Sequence, residues 1–268
     1  MNNRLINLFL WDVKRHRGNI VKALVAISII LSLMNIVILC WFRGPITSCP
    51  EWEYFDRGFY KSQCLIAMAK TVFRALCIYM ILSASQVLKD MRSKQQRIVF
   101  LTLPATNAEK FIERVLYVWV VNLLIFIIGF VISDIVQFLF SYVITPGYHH
   151  FIVGNLNVID MSDATAAYVV LILCVFLWAQ SSYMLGGTFF RRSPMLLTTC
   201  VHAVVCILYT IVLIVGGDNF FDSFDDLSNN QRSLFLSVPF LLALVFDYWA
   251  AYRLFTHSKL MTRKWFNF

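Results

Sequence analysis

Charged residues are scarce in this sequence of 268 residues. Only 14% of the residues are Asp, Glu, Lys or Arg, whereas 59% are hydrophobic and the mean hydropathy is +0.70. A typical soluble domain carries about 25% charged residues, and one water-soluble core could not hide this many apolar side chains. The composition therefore excludes an ordinary soluble domain and predicts a chain that is largely made of membrane spans.

The sequence also lacks the usual signatures of a nucleotide or metal site. It has no G-x-x-x-x-G-K-[ST] phosphate loop, so we expect no ATP bound by the usual motif in this chain. Its seven cysteines form no C-x-x-C pair and no metal-ligand spacing. His149 and His150 have no carboxylate nearer in sequence than Asp160. We therefore predict no enzymatic activity, no catalytic residues, no metal site and no cofactor in this chain.

Six apolar runs are long enough to cross a bilayer, which takes about 20 helical residues at 1.5 Å per residue. The first run is too long for a signal peptide and lacks an A-x-A exit, so we expect it to be retained. The pattern predicts an all-α membrane protein with a single transmembrane domain over residues 1–268. The predicted spans are residues 23–41, 64–88, 115–142, 166–190, 195–215 and 234–252.

Charge placement predicts the orientation of these spans. With the N-terminus in the cytoplasm, seventeen basic residues lie on the cytoplasmic side and nine acidic residues lie outside. The outer loops then hold only four basic residues: Arg43, Arg57, Lys61 and Arg232. Because cytoplasmic loops are enriched in Lys and Arg, the pattern predicts both termini in the cytoplasm. Cys49 and Cys64 fall near the outer face, where a disulfide between them is left open.

Two cytoplasmic segments precede spans. Residues 1–18 group apolar side chains ahead of basic ones, which predicts an interfacial helix or an ordinary basic flank of the first span. Residues 89–114 predict an elbow beneath the bilayer: Pro104 ends an extended stretch, and Thr106 or Asn107 caps a helix with Glu109 in its first turn. Phe111 and Ile112 are expected to face the membrane. Such an elbow suits docking of a cytoplasmic partner, but it could equally be a structural turn.

Four charged residues lie inside the predicted spans, where an isolated charge is costly. Lys70 and Arg74 are four residues apart and share one helical face. By depth, Asp134 is level with Lys70, and Asp247 lies within reach of Arg74. The four side chains are therefore candidates for a polar path, or for structural ion pairs with Lys70 extended to the surface.

Small residues mark the predicted fourth span. Ser182 and Gly186 have small-xxx-small spacing, and Gly187 follows directly, so we expect them to serve close helix packing. His202 is alone in the fifth span and is interpreted as a packing or hydrogen-bonding residue.

Three segments carry a family resemblance. The run RIVFLTLPATNAEKFIERVL resembles an "LPAs-N-x-EKF-x-xR" segment found after the second span of bacterial ABC-2-type transporter permeases. QSSYMLGGTFFRRSP, from Gln180 to Pro194, and DYWAAYRLF, from Asp247 to Phe255, are similar to the same family at fitting positions. Together they cover about 45 residues.

The resemblance implies a permease in the bacterial inner membrane that exports its substrate, dimerises with itself or a related permease, and pairs with a separate ATPase that holds ATP and Mg²⁺. It implies that the ATPase docks on the elbow. The residues implied in docking are Leu103, Pro104, Ala105, Asn107, Glu109, Lys110 and Phe111.

Other functions remain open at the level of sequence. A secondary transporter or channel could use the intramembrane charges as an ion path. A non-transporting scaffold or immunity protein is also open, and a membrane-embedded lipid enzyme is disfavoured because no clustered catalytic set faces one interface. The basic residues suit anionic lipid rather than nucleic acid.

Overall fold

The part of the chain that the computed structural model describes is almost entirely α-helical. The structure describes residues 2–48, 54–88, 105–144, 150–154, 166–190, 193–225 and 229–257, with residues 95, 98, 99, 102 and 103. The helices are α1 (Asn2–Arg15), α2 (Arg17–Ser48), α3 (Tyr54–Ala84), α4 (Asn107–Leu116), α5 (Asn122–Ile144), α6 (Ala166–Phe189), α7 (Pro194–Asp225) and α8 (Asn229–Thr256). A π-helical turn, Tyr117–Val121, connects α4 to α5.

Five helical segments are long and apolar enough to cross a membrane: Arg17–Gly44, Gly58–Ala84, Asn107–Ile144, Ala167–Phe189 and Asn230–Thr256. The chain is therefore an all-α, multi-pass membrane protein. The predicted span 195–215 lies within α7, whose segment Pro194–Leu208 is apolar but shorter. A sixth span and the cytoplasmic position of both termini stay predictions.

The N-terminal segment forms its own helix, as the sequence predicts. α1 is amphipathic and ends with Lys14 and Arg15 in its last turn, where cations favour the negative end of the helix dipole. The chain turns at His16, whose Nδ1 lies 3.0 Å from the carbonyl oxygen of Asp12 and 3.3 Å from its Oδ1. The interfacial position of α1 stays a prediction.

The helix of the predicted elbow is followed directly by the third predicted span. α4 continues through the π-helical turn into α5, so residues 107–144 form one long helical segment. π-Helical turns inside helices occur frequently at functional sites.

The contacts divide the chain into two compact units. The first, here called the elbow unit, comprises residues 1–6, 80–118 and 162–268. Within it α6 packs along α8, α7 packs on α6, and α4 contacts α8. Its core consists of Ala84, Val87, Leu88, Phe111, Val118, Met184, Ala251 and Phe255.

The second, here called the groove unit, comprises residues 7–79 and 119–161. In it α2 packs along α5. Side chains of α3 fill one part of the core together with Leu39 and Ile152, and a second cluster joins Leu31, Val72 and Phe126. Asn35 donates from Nδ2 to Oγ of Ser133 over 3.3 Å, a polar link between α2 and α5.

Candidate functional site

The elbow helix α4 begins with a complete capping box. The Thr106 hydroxyl accepts from the backbone N–H of Glu109 over 3.2 Å, and the Thr106 N–H donates to Oε2 of Glu109 over 2.8 Å. Each side chain therefore satisfies a backbone group that a helix start would otherwise leave without a partner. The prediction that Thr106 or Asn107 caps this helix is confirmed, and the cap is Thr106.

The inner face of α4 is held by aromatic contacts to α8. The Phe111 ring lies 5.5 Å from the Tyr252 ring in an edge-on arrangement and 5.7 Å from the Phe255 ring. Only 8% of Phe111 is exposed, and Leu103 and Val115 pack against the same cluster. The expectation that Phe111 faces the membrane is wrong, because its ring is buried in the protein. Ile112, the next residue, is 46% exposed.

The residues implied in docking fall into two groups. Glu109, Lys110 and Phe111 are 9%, 3% and 8% exposed, so they hold α4 in place and offer little surface to a partner. Asn107 is exposed, and Leu103 and Ala105 are partly exposed. Pro104 lies outside the described residues. The exposed residues Thr106, Asn107 and Ala108 are here called the elbow tip.

The hairpin of α6 and α7 is as tight as the sequence predicts. Ser193 adopts a positive φ of 51°, and Pro194 then starts α7, a position where its fixed φ suits a helix start. A Cβ on Gly187 would lie 2.6 Å from the carbonyl oxygen of Ser85, and one on Gly186 would lie 2.8 Å from Cγ2 of Thr198. Both glycines therefore permit a close approach of neighbouring segments, and their role in helix packing stays a prediction.

Ser182 links the same hairpin through a hydrogen bond. Its Oγ lies 2.8 Å from Nε2 of His202, and Nδ1 of His202 lies 2.9 Å from the carbonyl oxygen of Thr198. Ser182 and His202 line an open cavity of about 640 Å³ together with side chains of α8, including Trp249 and Arg253. The prediction that His202 serves packing or hydrogen bonding is confirmed.

The two intramembrane carboxylates are both buried, with Asp134 2% and Asp247 7% exposed. Asp134 accepts from the backbone N–H groups of Ile152 (2.9 Å) and Val153 (3.1 Å), within the groove unit. Asp247 accepts from the Ser181 hydroxyl over 3.0 Å, within the elbow unit. Each carboxylate thus anchors a neighbouring segment of its own unit.

The two intramembrane cations lie together. Lys70 and Arg74 are exposed on one face of α3 and line an open groove of about 470 Å³ between α2 and α3. The remaining wall is mostly apolar and includes Val37, Trp41 and Phe42. Neither cation has an ion pair with any residue that the structure describes. The structure therefore brings Lys70 and Arg74 together, while Asp134 has its own backbone partners.

No protein-family model matches this chain, and neither does any curated protein or any solved structure. The likeness to ABC-2-type permeases therefore depends on the three sequence segments alone.

Several contributing residues are absent from the sequence-based expectations. Tyr252 and Phe255, which hold the elbow, share one face of α8 with Tyr248, and this spacing along the helix could have indicated a buried aromatic face. Ser181 hydrogen-bonds Asp247 but carries no distinguishing pattern. Trp41 lines the groove beside Lys70 and Arg74, but in the sequence it is one of many apolar residues of the first predicted span.

Proposed function

We propose that this chain is the membrane-spanning permease subunit of an ABC-2-type exporter in the bacterial inner membrane. The observation that carries the proposal is the elbow: a capped helix whose inner face is anchored on the last helix and whose tip is exposed. A cytoplasmic partner could bind this tip without unfolding anything. Because the sequence has no phosphate loop, the energy for transport would come from a separate ATPase subunit that holds ATP and Mg²⁺.

Force from the partner would reach the membrane by two routes. A push on the elbow tip would move α4, which is continuous with α5 through the π-helical turn. The same push would act on α8 through the contacts of Phe111 with Tyr252 and Phe255. Closure of a pair of ATPase subunits would therefore tilt spans of a permease dimer between inward-open and outward-open states. The dimer could be formed with a second copy or with a related permease.

The docking residues in this proposal differ from those that the family resemblance implies. Asn107 and Ala108, at the tip, would contact the ATPase, whereas Glu109, Lys110 and Phe111 would position the tip from beneath. This division separates two effects in mutants. A change at the tip would abolish binding of the partner in a folded chain, and a change at the buried positions would first loosen the elbow.

The test replaces Ala108 with arginine. Arginine is a good helix former, so A108R keeps α4 intact while filling the tip with a long charged side chain. A tagged chain is purified in mild detergent from its native host, and the ATPase recovered with it is quantified by mass spectrometry. We expect the native chain and the matched control A108S to retain the ATPase. The affinity of A108R for the ATPase should fall at least about tenfold, which corresponds to about 1.4 kcal/mol of binding free energy.

Two results would refute the docking proposal. Undiminished recovery of the ATPase with A108R would mean that the elbow tip is not the docking surface. Recovery of the native chain alone, or only with proteins that bind no ATP, would refute the ABC-2-type assignment.

The groove with Lys70 and Arg74 favours a second candidate, a secondary transporter driven by an ion gradient, because intramembrane cations are typical of ion and substrate paths. Transport that persists without ATP and collapses when an ionophore dissipates the gradient would favour this candidate. Transport that requires ATP and survives the ionophore would exclude it.

A further inference from the structure

The groove between α2 and α3 presents two positive charges that have no counter-charge among the described residues. Lys70 and Arg74 are exposed, lie four residues apart on α3, and have no ion pair with a residue that the structure describes. Beside them the groove is walled by Val37, Trp41 and Ile66. One surface therefore combines two neighbouring cations with an apolar, aromatic wall.

Lys70 and Arg74 lie near the middle of the candidate span that contains them. The candidate span Gly58–Ala84 has its midpoint near residue 71. At 1.5 Å per residue, Lys70 lies about 2 Å and Arg74 about 5 Å from this midpoint. The hydrocarbon layer extends about 15 Å to either side. A lysine side chain, which can carry its charge to the interface from near a helix end, is too short to do so from the middle of the span.

The two carboxylates of the predicted spans already have hydrogen-bond partners. The predicted spans contain two acidic residues besides these cations, Asp134 and Asp247. Both are buried, and both are hydrogen-bonded within their own chain. Neither carboxylate lines the groove, which is open to an anionic ligand beside Lys70 and Arg74.

We propose that the α2–α3 groove binds an anionic phospholipid taken laterally from the bilayer. Its phosphate lies between Lys70 and Arg74, and an acyl chain lies against Val37, Trp41 and Ile66. A guanidinium group offers a planar fork of N–H donors that matches two phosphate oxygens, and an ammonium group adds a point charge. The open side of the groove lets the lipid enter without a passage through the protein interior.

This inference deepens the proposed function, because a lipid phosphate held at mid-membrane depth is part-way across the bilayer. It names anionic amphipaths as the class of molecule that the permease would move. Binding in the groove needs no ATPase, however, and is tested on the purified chain alone. Failure of the binding test and failure of the docking test are therefore distinguishable.

The experiment uses Trp41, which is 81% exposed and lines the groove, as a local reporter. The chain is reconstituted into vesicles of equal parts phosphatidylglycerol and phosphatidylcholine, with brominated acyl chains on one lipid or the other. Bromine quenches tryptophan fluorescence at contact, and subtraction of the Trp41→Phe variant isolates the signal of Trp41. We expect several-fold stronger quenching when phosphatidylglycerol carries the bromine.

Two variants test whether the preference for phosphatidylglycerol depends on Lys70 and Arg74. K70M/R74M removes both charges from the span, which favours membrane insertion, and its quenching by the two lipids should be equal. K14M/K22M removes two exposed lysines outside the groove and should keep the native preference. The comparison of the two lipids on the native chain depends on no variant at the cations.

Three results would overturn the inference. Equal quenching by both lipids in the native chain would mean that only bulk lipid reaches the groove. A preference that survives K70M/R74M would place the anion elsewhere. Absence of quenching by either lipid would mean that another protein surface covers the groove.

Discussion

Replacing Phe111 with alanine should release the elbow from the last helix. The ring of Phe111 is 8% exposed and makes two aromatic contacts, at 5.5 Å to Tyr252 and 5.7 Å to Phe255. Each such pair contributes about 0.5–1.5 kcal/mol beyond burial, and replacing a buried phenylalanine with alanine costs about 3–5 kcal/mol in total. Loss of the ring should therefore loosen α4 on α8, so that the backbone amides of α4 open to solvent more often.

The expected loss of free energy changes the ratio of docked to undocked elbow, which can be measured. Taking the lower figure, about 3 kcal/mol lowers the ratio of docked to undocked elbow by about a hundredfold. Amide hydrogen exchange of residues 109–116, followed by mass spectrometry on the purified protein, measures this ratio. The amides of F111A should exchange about a hundredfold faster than those of the native chain.

A matched control lies at the adjacent position. Ile112 is 46% exposed, about 100° around α4 from Phe111, and its replacement by alanine favours helix formation. I112A should therefore keep native exchange rates. If F111A exchanged no faster than I112A, the elbow would be held by something other than its aromatic contacts, and the transmission of force to α8 through Phe111 would be refuted.

Two further predictions concern helix packing and a buried carboxylate. Gly187→Ala should cost about 1–3 kcal/mol and lower the thermal unfolding midpoint in detergent, because its Cβ would lie 2.6 Å from the carbonyl oxygen of Ser85. Gly18→Ala, which meets no atom within 4 Å, is the control, and equal midpoints for the two variants would contradict the close contact. Asp134→Ala should cost about 1–3 kcal/mol by leaving the buried N–H of Ile152 without an acceptor. Asp134→Asn, which keeps one carbonyl oxygen, should cost less, and a native unfolding midpoint in the alanine variant would refute the anchoring role.

Local signals in the sequence predicted local structure well. The long apolar runs indicated membrane helices, and Thr106 or Asn107 ahead of Glu109 in the first turn indicated the capped start of α4. In both cases the physical cause lies within a few residues of the signal. Gly186 and Gly187 indicated close packing because a glycine lets two helices approach, but not which segment would approach.

Contacts between distant segments could not be predicted in the same way. Whether Phe111 faces lipid or protein depends on Tyr252 and Phe255, which lie more than a hundred residues further along the chain. Depth alone suggested Lys70 as the partner of Asp134, but the backbone N–H groups of Ile152 and Val153 satisfy that carboxylate instead. An apolar span tolerates many rotations about its axis, so composition does not determine which residue meets which.

Helix ends were predicted less well for a related reason. α2 begins at Arg17 and α3 continues as helix from Tyr54, both beyond the apolar runs that predicted them. Hydropathy marks where a helix meets hydrocarbon, whereas hydrogen bonding lets the helix continue into the interface. The disulfide between Cys49 and Cys64 that the sequence leaves open involves Cys49, which lies outside the described residues.

The most direct test of an ATPase docked on the elbow tip is photo-crosslinking in living cells. A photoreactive residue is placed at Asn107, which is exposed at the tip, and at Ile112 on the same helix as a control. We expect the Asn107 probe to crosslink to an ATP-binding subunit with a phosphate loop, and the Ile112 probe to do so far less. Crosslinks from Asn107 that contain no ATP-binding protein would mean that no ATPase docks on the elbow tip.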